Sequence, residues 1–161
     1  KNICFDMEGD DAACLFGERI AKDLGAEFIR LDPEARIFSH LAMTIASNYT
    51  VSLMRMSEEI MISAGIPLDT AKKMLIPLFS NTAQNISSIG TQKALTGPVS
   101  RGDTEIIKKH LDALKDLEED YRILYRGLAL IALQISVERG SVSVEKAEEI
   151  RKLIDIKRDK T

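Results

Sequence analysis

Two cysteines, Cys4 and Cys14, are all that the sequence holds, with no CxxC and no cluster of ligand-type side chains around them. That scarcity excludes a disulfide framework and points to a reducing, cytoplasmic setting. Concentrated positive charge is also missing. The 22 basic residues stand against 25 acidic ones, a net charge of −3, and form no dense stripe. Nucleic-acid or membrane-surface binding would need such a field, so neither partner is expected. The terminal "RKLIDIKRDKT" reads as cations complementing the dipole of a last helix. No secretory leader, internal repeat or low-complexity linker is visible. A metal is not expected either, because His40 and His110 share no helix that offers two ligands one turn apart with a supporting carboxylate. No serine or cysteine sits in a nucleophile context.

What is present is an ordinary globular balance, 45% hydrophobic and 29% charged over 161 residues. That length holds one domain with a real core, or a domain plus the remnant of another. Ile3 to Glu8 alternates weakly and predicts a strand. "DDAACLFGERIAKDLG" predicts a helix, with an Asp cap, Ala12, Leu15, Phe16, Ile20 and Leu24 at helical spacing, and Gly25 as the stop. "AEFIRL" predicts a second strand. One strand–helix–strand unit cannot make a stable sheet alone. With an interior-looking strand at its start, the chain is expected to be a fragment of a longer protein. Residues 1–32 would be the remnant of an α/β domain and residues 33–161 an all-helical one.

Everything after Asp32 reads as helix, so the expected fold is mainly α: about five helices around a long central one. Asp32 caps the first, with Pro33 at its first position, and Gly65-Ile66-Pro67 ends it. Ile37 to Met54 carries no Asp, Glu, Lys or Arg, a length that could span a membrane. His40, Asn48, three serines and two threonines in it favour a buried helix instead. Phe38, Leu41, Ile45, Tyr49, Leu53, Met56 and Ile60 share one face, and Ile37, Met43, Val51 and Met54 cover much of the other. A helix apolar nearly all round is buried on all sides. At ~30 residues it spans ~45 Å, more than a domain of this size needs for itself, so a second subunit or domain is expected against it. A second helix should start near Asp69, kink at Pro77 and reach Gly90. A third starts at Asp103, a fourth runs from Glu118 to Glu138 before Gly140, and Ser143 caps a fifth.

Between the second and third helices lies "ALTGPVSRGD". Gly97-Pro98 enforces a bend, Gly102 permits a left-handed turn, and Asp103 is a good N-cap. An Asp committed to capping explains Arg-Gly-Asp better than cell adhesion does. With "PLFSNTAQNISSIGTQKALTGPVSRGD", "HLDAL" and the upstream "FSHLAMTIASNY", the chain resembles the C-terminal half of the Rossmann-like NAD(P)-dependent oxidoreductases, from Ile3 to about Leu114. The helical half of that family is catalogued as a domain of unknown function. It is similar to the dimerising domains of pyrroline-5-carboxylate reductase and the hydroxyacid dehydrogenases. The resemblance implies a homodimer and an NAD(P) cofactor in the full-length parent. In this chain no two of the nine glycines are separated by a single residue. The G-x-G-x-x-G fingerprint is therefore absent. This chain alone should bind no dinucleotide, and which residues would do so in the parent is unknown.

His40, Thr44, Ser47 and Asn48 lie within about 100° of arc on the first long helix. As the wall of a cleft toward the nucleotide domain, this seam would place His40 to pass the proton accompanying hydride transfer. Asn48 would orient a substrate carbonyl, with Thr44 and Ser47 beside it. Related dehydrogenases carry a basic residue, usually Lys, and an Asn on the corresponding helix. The seam would equally serve hydrogen bonding between helices, since buried polar groups need partners. Thr96, Gly97, Pro98 and Arg101 would form the opposite wall, suited to a small anionic substrate, or would simply connect two helices. His110, among Ile106, Ile107, Leu111 and Leu114, reads as a satisfied core or interface histidine. Two functions follow: the substrate-side part of an oxidoreductase acting on a small imino or keto acid, or a non-catalytic dimerisation or interaction module.

Overall fold

The computed structural model describes residues 3–155. Lys1 and the final residues of the basic C-terminal run lie outside the described residues. The chain divides into two compact units, Lys1–Arg55 and Met56–Thr161.

In the first unit, β1 (Cys4–Met7) and β2 (Glu27–Arg30) pair in parallel, Cys4 opposite Glu27 and Met7 opposite Arg30. The crossover between them is α1 (Asp11–Asp23), whose first turn is capped as expected: the Asp10 carboxylate accepts from the Ala13 amide at 2.8 Å. Arg30 at the end of β2 donates to Asp11 at 2.7 Å and to the Gly9 carbonyl at 3.1 Å, tying strand to helix. The strand–helix–strand reading holds.

The long helix does not run unbroken. It is α2 (Pro33–Ala46) and α3 (Asn48–Ser63), interrupted at Ser47, where φ −109° and ψ −69° leave the helical well. Thr50 Oγ1 donates to the Ala46 carbonyl at 3.0 Å. A hydroxyl that bonds back to the i−4 carbonyl competes with the helix ladder and bends it. The expected burial is also absent within this chain, since neither helix contains a buried residue. Phe38 and Val51 are each 70% exposed.

In the second unit, α4 (Leu68–Ala94) passes Pro77 with helical torsions and departs from them at Gly90, φ +78°, a value that costs a glycine little. The expected break at Pro77 is thus displaced to Gly90, and the helix continues four residues further. A four-residue helical turn, α5 (Pro98–Arg101), was not anticipated. Then come α6 (Thr104–Ala113), α7 (Glu119–Glu138) and α8 (Val144–Ile154), with Asp103 and Ser143 capping α6 and α8 through bonds to the Ile106 and Lys146 amides. Gly140 has φ +73° where the fourth helix was expected to stop.

The core of this unit is Ile107, Leu133, Ile150 and Ile154, all at 0% exposure, with Val99, Ala129, Val142 and Ala147 around them. It is built by α5, α6, α7 and α8. Arg126 of α7 is buried and donates to the Asp155 carbonyl at 2.7 Å. A cation at the end of α8 suits that helix's dipole. His110 is exposed rather than in the core, and is satisfied by Tyr125, with Nδ1 3.0 Å from the hydroxyl and rings edge to face at 5.8 Å.

Leu133→Ala leaves a cavity in this core and should cost about 2–5 kcal/mol of unfolding free energy. The exposed Val144→Ala should stay within about 0.5 kcal/mol; denaturant midpoints measure both. Burial holds the Tyr125 phenol above its ordinary range. A folded-state pKa raised above the unfolded 10.0 gives stability that is full below that value and lost as pH rises through the folded one. Melting temperature should therefore fall as pH rises above ~10, and less so in Tyr125→Phe.

Candidate functional site

The carboxyl ends of parallel strands open onto the crevice where ligands of α/β proteins bind. In this chain a cavity of about 590 Å³ lies there within the first unit. Asp6, Met7 and Glu8 line it from the end of β1, Leu31 and Pro33 from the segment after β2, and Arg36, Ile37, His40 and Met43 from α2. Met7, Leu31, Pro33, Ile37 and Met43 supply apolar wall, and the remaining side chains, Asp6, Glu8, Arg36 and His40, are charged or titratable. Arg36 Nη1 donates to Glu8 Oε2 at 2.9 Å, and Glu8 holds the guanidinium pKa above its usual value. Ser39 Oγ donates to Asp6 Oδ2 at 3.2 Å. The cavity thus offers an imidazole beside a fixed carboxylate–guanidinium pair, a combination able to bind and protonate a small polar molecule.

Of the four seam residues, only His40 lines this cavity. Thr44 is half-buried, Ser47 sits at the helix break, and Asn48 opens α3 on the surface. Asp6, Glu8, Arg36 and Ser39 were missed by sequence reasoning. Arg36 carried a signal, being one turn before His40 and so on the same helix face. Glu8 carried another, as the residue that leaves a strand at its carboxyl end.

The second expected wall belongs to the second unit. Gly97 takes φ +100°, a backbone state that side chains resist, and leads into Pro98 at the first position of α5. Val99 then inserts into the core at 8% exposure, and the buried Ser100 donates back to the Gly97 carbonyl at 3.3 Å. Gly102 at φ +70° closes the turn, its amide donating to Val99 and that of Asp103 to Pro98. Thr96 and Arg101 are exposed on either side. Asp103 caps α6 at 3.1 Å, so its carboxylate is committed to the backbone.

Neither turn suits a dinucleotide. At the β1–α1 turn, Asp10 occupies the Ala13 amide in the first turn of α1, and Glu8 and Asp11 flank it in sequence. Those carboxylates oppose the pyrophosphate that a helix start would otherwise attract. Among the described residues no group of three or more His, Cys, Asp or Glu is placed to hold a metal ion. Also among them, no helix is long and apolar enough to cross a membrane.

A family model, "Domain of unknown function (DUF2520)", matches residues 3–131. No curated protein matches the chain. Among solved structures, protein TM1727 from Thermotoga maritima is similar, with a TM-score of 0.74 at 25% identity, over 84% of this chain and 53% of that one. The "putative NADP oxidoreductase BF3122" from Bacteroides fragilis gives a TM-score of 0.64 at 26% identity, over 78% of this chain and 47% of that one. The chain spans about half the length of these solved structures. With the match running from the first strand into α7, the chain belongs to the DUF2520 family.

Proposed function

We propose that the chain is the substrate-side, dimerising part of a cytoplasmic NAD(P)-dependent oxidoreductase that acts on a small imino or keto acid. The reading rests on the similarity of 78% of this chain to about half of the Bacteroides protein named as an oxidoreductase. The dinucleotide would be held by a nucleotide-binding domain preceding these residues, since the β1–α1 turn does not fit it. The substrate class proposed follows only from the resemblance of the helical half to the dimerising domains of pyrroline-5-carboxylate reductase and the hydroxyacid dehydrogenases.

In this reading His40 supplies the proton taken up by the substrate's oxygen or nitrogen. An imidazole changes charge close to neutral pH, which suits it to that task. The Arg36–Glu8 pair keeps a fixed, internally neutralised wall beside it, while Asn48 orients the substrate carbonyl and Thr44 and Ser47 extend the polar seam. Within the second unit, the turn from Thr96 through Gly97 and Pro98 to Arg101 is the segment suited to an anionic group, with Arg101 as its cation. The exposed apolar side chains of α2 and α3 are the dimer surface.

One observation favours a second reading. A chain with this much uncovered apolar surface also suits a non-catalytic association module. The two separate in a single experiment on the chain joined to its nucleotide-binding domain. His40→Ala should lower kcat/KM for NADPH-dependent reduction of small imino or keto acids about 10²–10⁴-fold while the melting temperature holds. NADPH binding with no turnover, and with His40→Ala and Asn48→Ala altering only association or stability, would favour the module. Failure of the joined protein to bind NADPH removes the enzyme reading.

A further inference from the structure

Arg139 is the C-cap of α7 and lies beyond the residues that the family model matches. Its side chain reaches the far end of α4. Nη1 donates to the Gln92 carbonyl at 2.8 Å and to the Leu95 carbonyl at 2.9 Å, and Nη2 donates to Ser141 Oγ at 3.2 Å. Ser141 Oγ in turn donates at 3.2 Å to the carbonyl of Ser136, a residue at 0% exposure. The guanidinium is thereby gripped from α7 while it grips α4.

The last carbonyls of a helix have no partner inside it. At Leu95 the chain turns to extended torsions, φ −65° and ψ 126°, and immediately enters Thr96 and Gly97. One planar, permanently charged group satisfies two of those carbonyls together and complements the negative end of the helix dipole. Four residues after Leu95, Val99 is locked in the core. The bend is therefore fixed at both ends: by a polar clamp before it and an apolar plug after it. Only Thr96, Gly97 and Pro98 lie between the two anchors.

We propose that Arg139 is a positioning residue that holds the Thr96–Arg101 turn in the geometry needed to receive the anionic group of the substrate. This rests on the reading of that turn as a substrate wall. Arg139 acts through Gln92 and Leu95 and does not itself meet the substrate.

The test compares Arg139→Gln, Arg139→Lys and Ser141→Ala with the wild type by amide hydrogen exchange, and by steady-state kinetics of the chain joined to its nucleotide-binding domain. In Arg139→Gln the hydrogen-bonded amides that flank the turn, those of Leu95, Gly102 and Asp103, should exchange about tenfold faster or more, with α8 from Ala147 to Leu153 unchanged. Arg139→Lys should fall between, because it keeps a cation for both carbonyls but lacks the second nitrogen that Ser141 holds. KM for the anionic substrate should rise about tenfold in Arg139→Gln, with kcat within about twofold and NADPH affinity unchanged. Ser141→Ala keeps both clamp bonds and should give a smaller acceleration confined to the same amides, which decides the matter should the Gln variant not fold. Wild-type exchange at Leu95, Gly102 and Asp103 in the folded variants, equal acceleration in α8, or an unchanged KM would overturn the proposal. If the wild-type joined protein turns over no substrate, the enzyme reading fails, while the exchange data still judge the clamp.

Discussion

Apolar side chains are distributed unevenly along this chain, and the rest of the structure answers to that imbalance. From Val99 onward they converge on Leu133 and Ile150 and leave a dry core. Before that point they mostly do not: Leu15, Phe16, Ile37, Phe38, Leu41, Val51, Ile76 and Leu78 are each half or more exposed. On the proposed function, side chains left uncovered in this way are where another polypeptide packs. Each such side chain gains about 1.5–3 kcal/mol on full burial, which is the driving force for a covering surface. On the proposed function that surface is a second copy of the chain, together with the remaining strands of a nucleotide-binding domain.

Each unit carries its own candidate region. The cavity near His40 exists because two parallel strands end together and α2 begins beside them. Its polar walls hold each other: Arg36 with Glu8, Ser39 with Asp6. The Thr96–Arg101 turn is organised on a different principle. It owes its shape to Val99 inside the core and to Arg139 at the end of α4. Segments beyond the family match thus shape an element inside it, since Leu133, Val142 and Ile150 form the bed on which Val99 rests.

Local signals carried most of the fold into the sequence. Asp10, Asp103 and Ser143 stand where a side-chain oxygen can take an orphan amide, and each does so. Gly97 and Gly102 likewise take the positive φ that the bend requires. The break at Ser47 was not legible, because it turns on which carbonyl the Thr50 hydroxyl bonds, and a sequence does not display that choice. Pro77 misled in the opposite sense, since a proline costs a helix one bond without obliging it to bend sharply. Of the site, His40 was legible as a polar group on an apolar helix. Its neighbours Glu8 and Arg36 are 28 residues apart and meet only after the strands pair. The exposure of α2 and α3 was invisible because periodicity reports that a helix needs covering, and says nothing of where the cover comes from.

The account stands or falls on whether the apolar surface of α2 and α3 brings copies of this chain together. Sedimentation equilibrium at micromolar concentration measures that most directly. The account predicts a mass at least double the 17.9 kDa of one chain, returning to 17.9 kDa when Phe38 and Val51 are both replaced by glutamate. A wild-type chain that sediments as a well-folded 17.9 kDa species at that concentration would contradict it.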